Sequence, residues 1–234
     1  MELRLGGRRE LLHPGAHPCQ LYTLEDDAVA FAAVFLAAGI RGGYAKSYAG
    51  QESRVHAIAE ALAAQTGGEP VTDRLEHIDS RAALLLDDQF DPYHLISLHQ
   101  SMVDRALADG RSGLCLVLDM TWLAGGTSSV AQVMKYEAVA ESVFSYQERP
   151  LVTLVQYHHT RAMEYLAVEL LRIHAMSIVG HIMRRNPQHI DAEEYLRRFI
   201  RPKRQPNAPA TAPLPLTPES RAGRLRLGRG PRLF

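Results

Sequence analysis

The sequence predicts an α/β fold: a mostly parallel central sheet flanked by helices, with a disordered C-terminal tail. Three observations carry the prediction. Gly113 to Trp122 reads Gly-Leu-Cys-Leu-Val-Leu-Asp-Met-Thr-Trp, an apolar run opened by glycine and broken only by an acid, as expected of a strand buried on both faces. Pro150 to Tyr157 is a second such run, rich in Val and Leu. Between and around them lie capped segments of helical periodicity, so strands alternate with helices in the manner of parallel-sheet proteins.

In chain order, residues 1–12 form an N-terminal segment, 13–201 the main domain and 202–234 the tail. Met1 to Leu12 lacks the apolar core of a secretory signal, and the longest greasy run, Ala28 to Ile40, is too short to span a bilayer. A cytoplasmic protein with no membrane partner is therefore expected. His17-Pro18-Cys19-Gln20-Leu21-Tyr22 reads as the first strand, with His17 and Cys19 on one face by the two-residue period. Thr23 then opens a capping box with Asp26, and Glu25, Asp26 and Asp27 crowd the first turn of an apolar helix running to about Ala38. Nucleotide-binding α/β proteins place a Gly-rich, phosphate-cradling loop at this strand-to-helix turn; here the turn is acidic and glycine-free, so it repels a triphosphate.

Tyr44 to Tyr48 reads as the second strand. The preceding Gly42-Gly43-Tyr44-Ala45-Lys46-Ser47 is a poor P-loop, because Ala45 replaces the glycine before the lysine and the segment follows a helix instead of opening one. Glu52 to Gln65 reads as a helix stopped by Gly67 and Gly68, and Arg74 to Asp79 as a strand. Asp91 as N-cap and Pro92 at the first position start a helix with the stripe Leu95, Leu98, Met102 and Ala106. After Trp122 and a loop at Leu123 to Thr127, a helix from about Ser129 to Tyr146 buries Val130, Val133, Met134, Ala140 and Phe144. Glu137 falls on that same stripe, and a carboxylate there must find a partner or keep its proton. Thr160 to Ala175 is a helix packing Met163, Leu166, Leu170 and Ile173, with His174 in its last turn, where a dipole-compatible cap is the plainer role. Ser177 to Ile182 reads as the last strand, and Asp191 with Glu194 caps a short helix ending near Ile200.

Net charge is zero but unevenly placed. From Arg201 onward there are eight Lys or Arg against the single acid Glu219, which leaves the body with 18 basic and 25 acidic residues. Only the tail could attract nucleic acid or another polyanion. The tail has no apolar period and cannot offset its ordering entropy. Cys19 and Cys115 show no disulfide or zinc spacing and read as buried reduced thiols.

Tyr22, Asp119, Trp122, Tyr157 and His158 all come at or just after strand carboxyl ends, where open α/β sheets bind ligands. Glu137 and His174 lie on helix faces packing nearby, and His17 and Cys19 complete the candidate ligand-binding set. Aromatic rings with a few ionisable groups suit a small organic ligand better than a polyphosphate. Asp119 could equally cap the turn that follows it.

With His-Pro-Cys-Gln-Leu-Tyr at 17–22, Ala-Gly-Ile-Arg-Gly-Gly at 38–43, Asp-Met-Thr-Trp at 119–122, Tyr-Glu at 136–137, Gln-Tyr at 156–157 and His174, the chain resembles the MEDS domain, the methanogen/methylotroph sensory domain named for the DcmR regulator, over about His17 to Ile200. The resemblance implies a RecA/KaiC-like fold that has lost its phosphate loop and senses simple hydrocarbon derivatives in prokaryotic signalling. It departs from the family pattern at Asp119, His158 and Ala175. No output domain is evident, so the signal is expected to pass through a protein partner or the basic tail. The reading is a non-catalytic sensor of a small organic ligand, with no cofactor and no metal. The alternatives are an enzyme using Asp119 or Glu137 as base, or His17, Cys19 and His158 around a metal, and an interaction module with a vestigial pocket.

Overall fold

The computed structural model describes residues 1–5, 8–67, 75–79, 85–86, 89–121, 130–146, 150–159, 164–180 and 182–200; Trp122, the loop at 123–127 and the tail at 202–234 lie outside them. In chain order the elements are β1 (Glu2–Leu5), β2 (Arg8–Leu11), β3 (Cys19–Tyr22), α1 (Glu25–Arg41), β4 (Ala45–Gly50), α2 (Glu52–Gln65) and β5 (Glu76–Asp79). There follow β6 (Leu85–Leu86), β7 (Gln89–Phe90), α3 (Pro92–Ala108), β8 (Leu114–Asp119), α4 (Val130–Tyr146), β9 (Leu151–His158) and α5 (Glu164–Ile173). The hairpin β10 (Met176–Val179) and β11 (Ile182–Arg185) and the short α6 (Ala192–Tyr195), which passes into a π turn at Leu196–Ile200, complete the described chain.

The main sheet has seven strands in the order β11-β10-β3-β9-β8-β4-β5, and only the β10–β11 pair is antiparallel. β8 lies inside the sheet between β9 and β4, with every residue buried, as its unbroken apolar run requires. Successive side chains alternate between two cores. Leu114, Leu116, Leu118 and Met120 pack with Val155 and Tyr157 against α3, α4 and α5. Cys115 and Val117 pack with Val152 and Leu154 against α1 and α2. The β1–β2 hairpin contributes Leu3 and Leu12 to this second core.

Several boundaries differ from expectation for identifiable reasons. α1 runs on to Arg41 because Gly39 is a contact glycine: a Cβ there would lie 2.6 Å from Cys115 Cβ, so it lets the helix approach β8 closely. The helix stops instead at Gly42, followed by Gly43 with φ +76°. Its N-cap is Leu24, with no side-chain cap from Thr23, so the capping box does not form. The last strand is a hairpin, because Gly180 at φ +60° turns the chain back into β11. Val130 is 40% exposed and leaves the α4 stripe. The Asp91 and Asp191 caps form as expected, accepting from Tyr93 N and from Glu193 N and Glu194 N.

Candidate functional site

The nine candidate residues do not line one pocket. Strand alternation sends Cys19 and Tyr157 into the layer under α3–α5, where His17, Glu137 and His174 also lie, and sends Tyr22, Asp119 and His158 toward α1 and α2. Tyr157 and His158 are consecutive, so they cannot share a face. Trp122 falls outside the described residues. The trio His17, Cys19 and His158 is therefore split across the sheet and cannot hold one ion.

At the carboxyl edge, the α1/α2 side is organised by Arg54, a residue the strand-end pattern does not reveal. Arg54 Nη1 lies 2.9 Å from Asp119 Oδ2, and its Nη2 donates to the Tyr22 hydroxyl at 2.6 Å and meets the Glu25 carboxylate. The Tyr48 hydroxyl donates to the same Asp119 oxygen at 3.0 Å, and Thr121 N donates to Oδ1 at 2.9 Å. Asp119 thus caps its turn and also anchors an ion pair. The His158 ring stands edge-on to Tyr22 at 5.3 Å. Burial raises the Tyr22 and Tyr48 phenols well above their ordinary range, and Asp119 adds to both shifts. Burial opposes the charge on Arg54, but Asp119 and Tyr22 outweigh it and the guanidinium stays charged. With Glu25 and Asp119 both on Arg54, the network meets a phosphate with carboxylates, in keeping with the acidic first turn of α1.

The second cluster is buried between the sheet and α4–α5. Glu137, fully buried on α4, accepts a short hydrogen bond on Oε1 from the Tyr157 hydroxyl. Its Oε2 lies 3.4 Å from His17 Nε2 and 3.5 Å from His174 Nε2. None of these three atoms makes a hydrogen bond among the described residues, despite being buried. His174 Nδ1 is placed by the His17 carbonyl at 2.9 Å, and His17 Nδ1 faces the Glu141 carboxylate at 3.7 Å, beyond hydrogen-bond range. The two rings pack edge-to-face at 4.8 Å. The Tyr136 hydroxyl is a further buried group without a partner among the described residues.

Electrostatics separate the members. Burial pushes the Glu137 carboxyl up, against the pull of His17 and the Tyr157 hydrogen bond. Burial alone would lower His17, but the Glu141 and Glu137 carboxylates overcome it and raise its pKa. His174 is held neutral, by burial first and then by His17. Burial, reinforced by Glu137, lifts the Tyr157, Tyr136 and Cys19 protons well above their usual ranges. A cleft of about 240 Å³ lined by Ala16, Ala175 and Met176 opens on the α1/α2 side of the sheet, and none of the cluster's side chains lines it.

Sequence reasoning missed Arg54, Tyr48 and Glu141. Arg54 had a signal: it stands four residues before Ile58 and eight before Leu62, on the buried stripe of α2, so a charge there needed a partner. Among curated proteins, a comparison finds no match. A family model described as MEDS, the methanogen/methylotroph DcmR sensory domain, matches residues 16–175, one residue outside His17 at one end and His174 at the other. That span covers more than half of the chain, with the interior cluster inside its limits, and the chain accordingly belongs to the MEDS family of sensory domains.

Proposed function

We propose that the chain is a non-catalytic sensor of a simple hydrocarbon derivative in prokaryotic signal transduction or transcriptional control, and that its ligand is held at the interior cluster of His17, Glu137, Tyr157 and His174. One observation carries the reading: buried polar atoms of three side chains converge without hydrogen-bond partners among the described residues, within apolar surroundings. Such groups are costly unless something completes them. A small molecule with one polar end and a short apolar body meets both demands. The open parallel sheet and the acidic, glycine-free turn before α1 support descent from a RecA-like fold without its phosphate loop. Signal output then passes to a protein partner, and the basic tail is the segment suited to a polyanion.

Mass spectrometry of small molecules released from the purified protein tests this. A stoichiometric small organic compound, lost in Glu137→Gln and retained in Asp119→Asn, is the expected result. Retention in Glu137→Gln with loss in Asp119→Asn would move the site to the carboxyl edge. Calorimetry with Mg-ATP should be flat, and a saturable isotherm would contradict the loss of the phosphate site.

A further inference from the structure

We infer that His17 Nε2, Glu137 Oε2 and His174 Nε2 form a three-ligand site for a tetrahedral divalent transition metal ion, zinc by its donor set, with the fourth vertex left for an exogenous donor. The three side chains are buried, and each offers one ligand atom within 4.8 Å of the others. Four ligands at about 2.05 Å around zinc stand about 3.3–3.4 Å apart, whereas octahedral neighbours stand about 3.0 Å apart. The two edges that share Glu137 Oε2, at 3.4 and 3.5 Å, match the tetrahedron, and the two imidazoles, whose ligand atoms lie within 4.8 Å of each other, draw together on the ion. These approaches lack the alignment of hydrogen bonds, as lone pairs aimed at a common point would.

The remaining atom is occupied in two of the three ligands, and in His17 it faces a carboxylate. Ligating histidines hand their second ring nitrogen to a carbonyl or carboxylate, which fixes the tautomer and leaves the other nitrogen's lone pair for the ion. His174 Nδ1 has the His17 carbonyl at 2.9 Å, and His17 Nδ1 faces Glu141 at 3.7 Å. The Tyr157 hydroxyl takes Glu137 Oε1, leaving Oε2 free to ligate. Two neutral imidazoles and one carboxylate are a borderline donor set that suits zinc.

An open fourth vertex narrows the ligand class of the sensor: the sensed molecule carries a lone-pair donor such as an alcohol, thiol or carboxylate. This last step rests on the sensing function proposed above; ion binding does not.

The test uses the full chain, stripped with chelator and titrated with zinc by calorimetry and with cobalt(II) by absorption. One ion per chain is expected, with the intense visible bands of tetrahedral cobalt. Glu137→Gln and His174→Gln should each weaken uptake at least 100-fold while circular dichroism stays native. Tyr157→Phe, which removes a positioning group, should weaken it about 10- to 100-fold. His56→Gln, at an exposed histidine on α2, should change nothing. No uptake by a natively folded chain, or uptake unaffected by Glu137→Gln, would overturn the metal site. Azide should shift the cobalt bands saturably; bands blind to azide would overturn the open vertex. Metal uptake with no co-purifying organic molecule would leave the ion in place and defeat only the sensing function.

Discussion

At the scale of single residues, the most consequential side chain for stability is Arg54. It neutralises Asp119 where neither can be solvated, so removing the arginine leaves an uncompensated buried carboxylate. Arg54→Met is expected to cost about 3–5 kcal/mol in urea unfolding, and adding Asp119→Leu should restore a large share of it. If the double variant is no more stable than Arg54→Met, the ion pair is not the source of the loss. His99 offers a second measurement. It is buried on α3, with the Tyr136 and Phe144 rings at 6.2 and 6.0 Å, and burial, aided by His17, pushes its pKa down to about 3. The unfolded chain protonates this group near its ordinary 6.5 and the folded chain does not, so stability is full above pH 6.5 and falls as the pH drops toward 3. One such proton gives a slope of up to about 1.4 kcal/mol per pH unit. His99→Phe should flatten the acid limb of a stability–pH profile, and an unchanged limb would assign the sensitivity to other groups.

At the scale of elements, Gly50 ends β4 where the carboxyl-edge network leaves no room for a side chain. A Cβ there would lie 2.3 Å from the Tyr48 hydroxyl and 2.8 Å from Asp119 Cβ. Gly50→Ala is expected to destabilise by about 1–3 kcal/mol through displacement of Tyr48, measurable as a lower thermal midpoint. A neutral substitution would mean that β4 yields without cost. The elements themselves were largely legible in the sequence, because β8 and β9 are long apolar runs and α2, α3 and α6 carry stops or caps that the backbone obeys. The end of α1 was not, since a glycine that serves close packing, Gly39, looks the same in sequence as one that stops a helix. For the site, Glu137 on an apolar stripe announced a buried partner, and His17, Tyr157 and His174 are found beside it. The grouping of Tyr22, Asp119 and His158 with them failed because nearness to a strand end says nothing of which face a side chain takes. The adjacency of Tyr157 and His158 already contained that information. The three proposed metal ligands lie far apart in sequence and come from a pre-strand loop, a helix and a helix end, so no short spacing pattern could mark them.

For the whole molecule, the body up to Arg201 forms one compact unit. Cutting the chain after Arg201 is expected to leave the thermal midpoint within about two degrees, because the removed residues carry no apolar period with which to dock. A larger drop would show that Leu225, Leu227 or Phe234 supports the body. If the tail binds a polyanion, that binding should weaken steeply with added salt, whereas ligand binding inside the body should not.

Both networks hang on β3, through a pair of amides that belongs to neither. Gln156 Nε2 donates to Gln20 Oε1 at 2.7 Å and to the Ala28 carbonyl at 2.8 Å, across the β3–β9 register that sets Gln20 opposite Gln156. Slipping β3 by one residue would carry Cys19 to the α1/α2 side, carry Tyr22 to the other, and strand both amides unpaired. The placement of the histidine–carboxylate cluster and of the arginine network is therefore one decision, taken when two neighbouring strands first align, and no partly slipped sheet can keep one without the other.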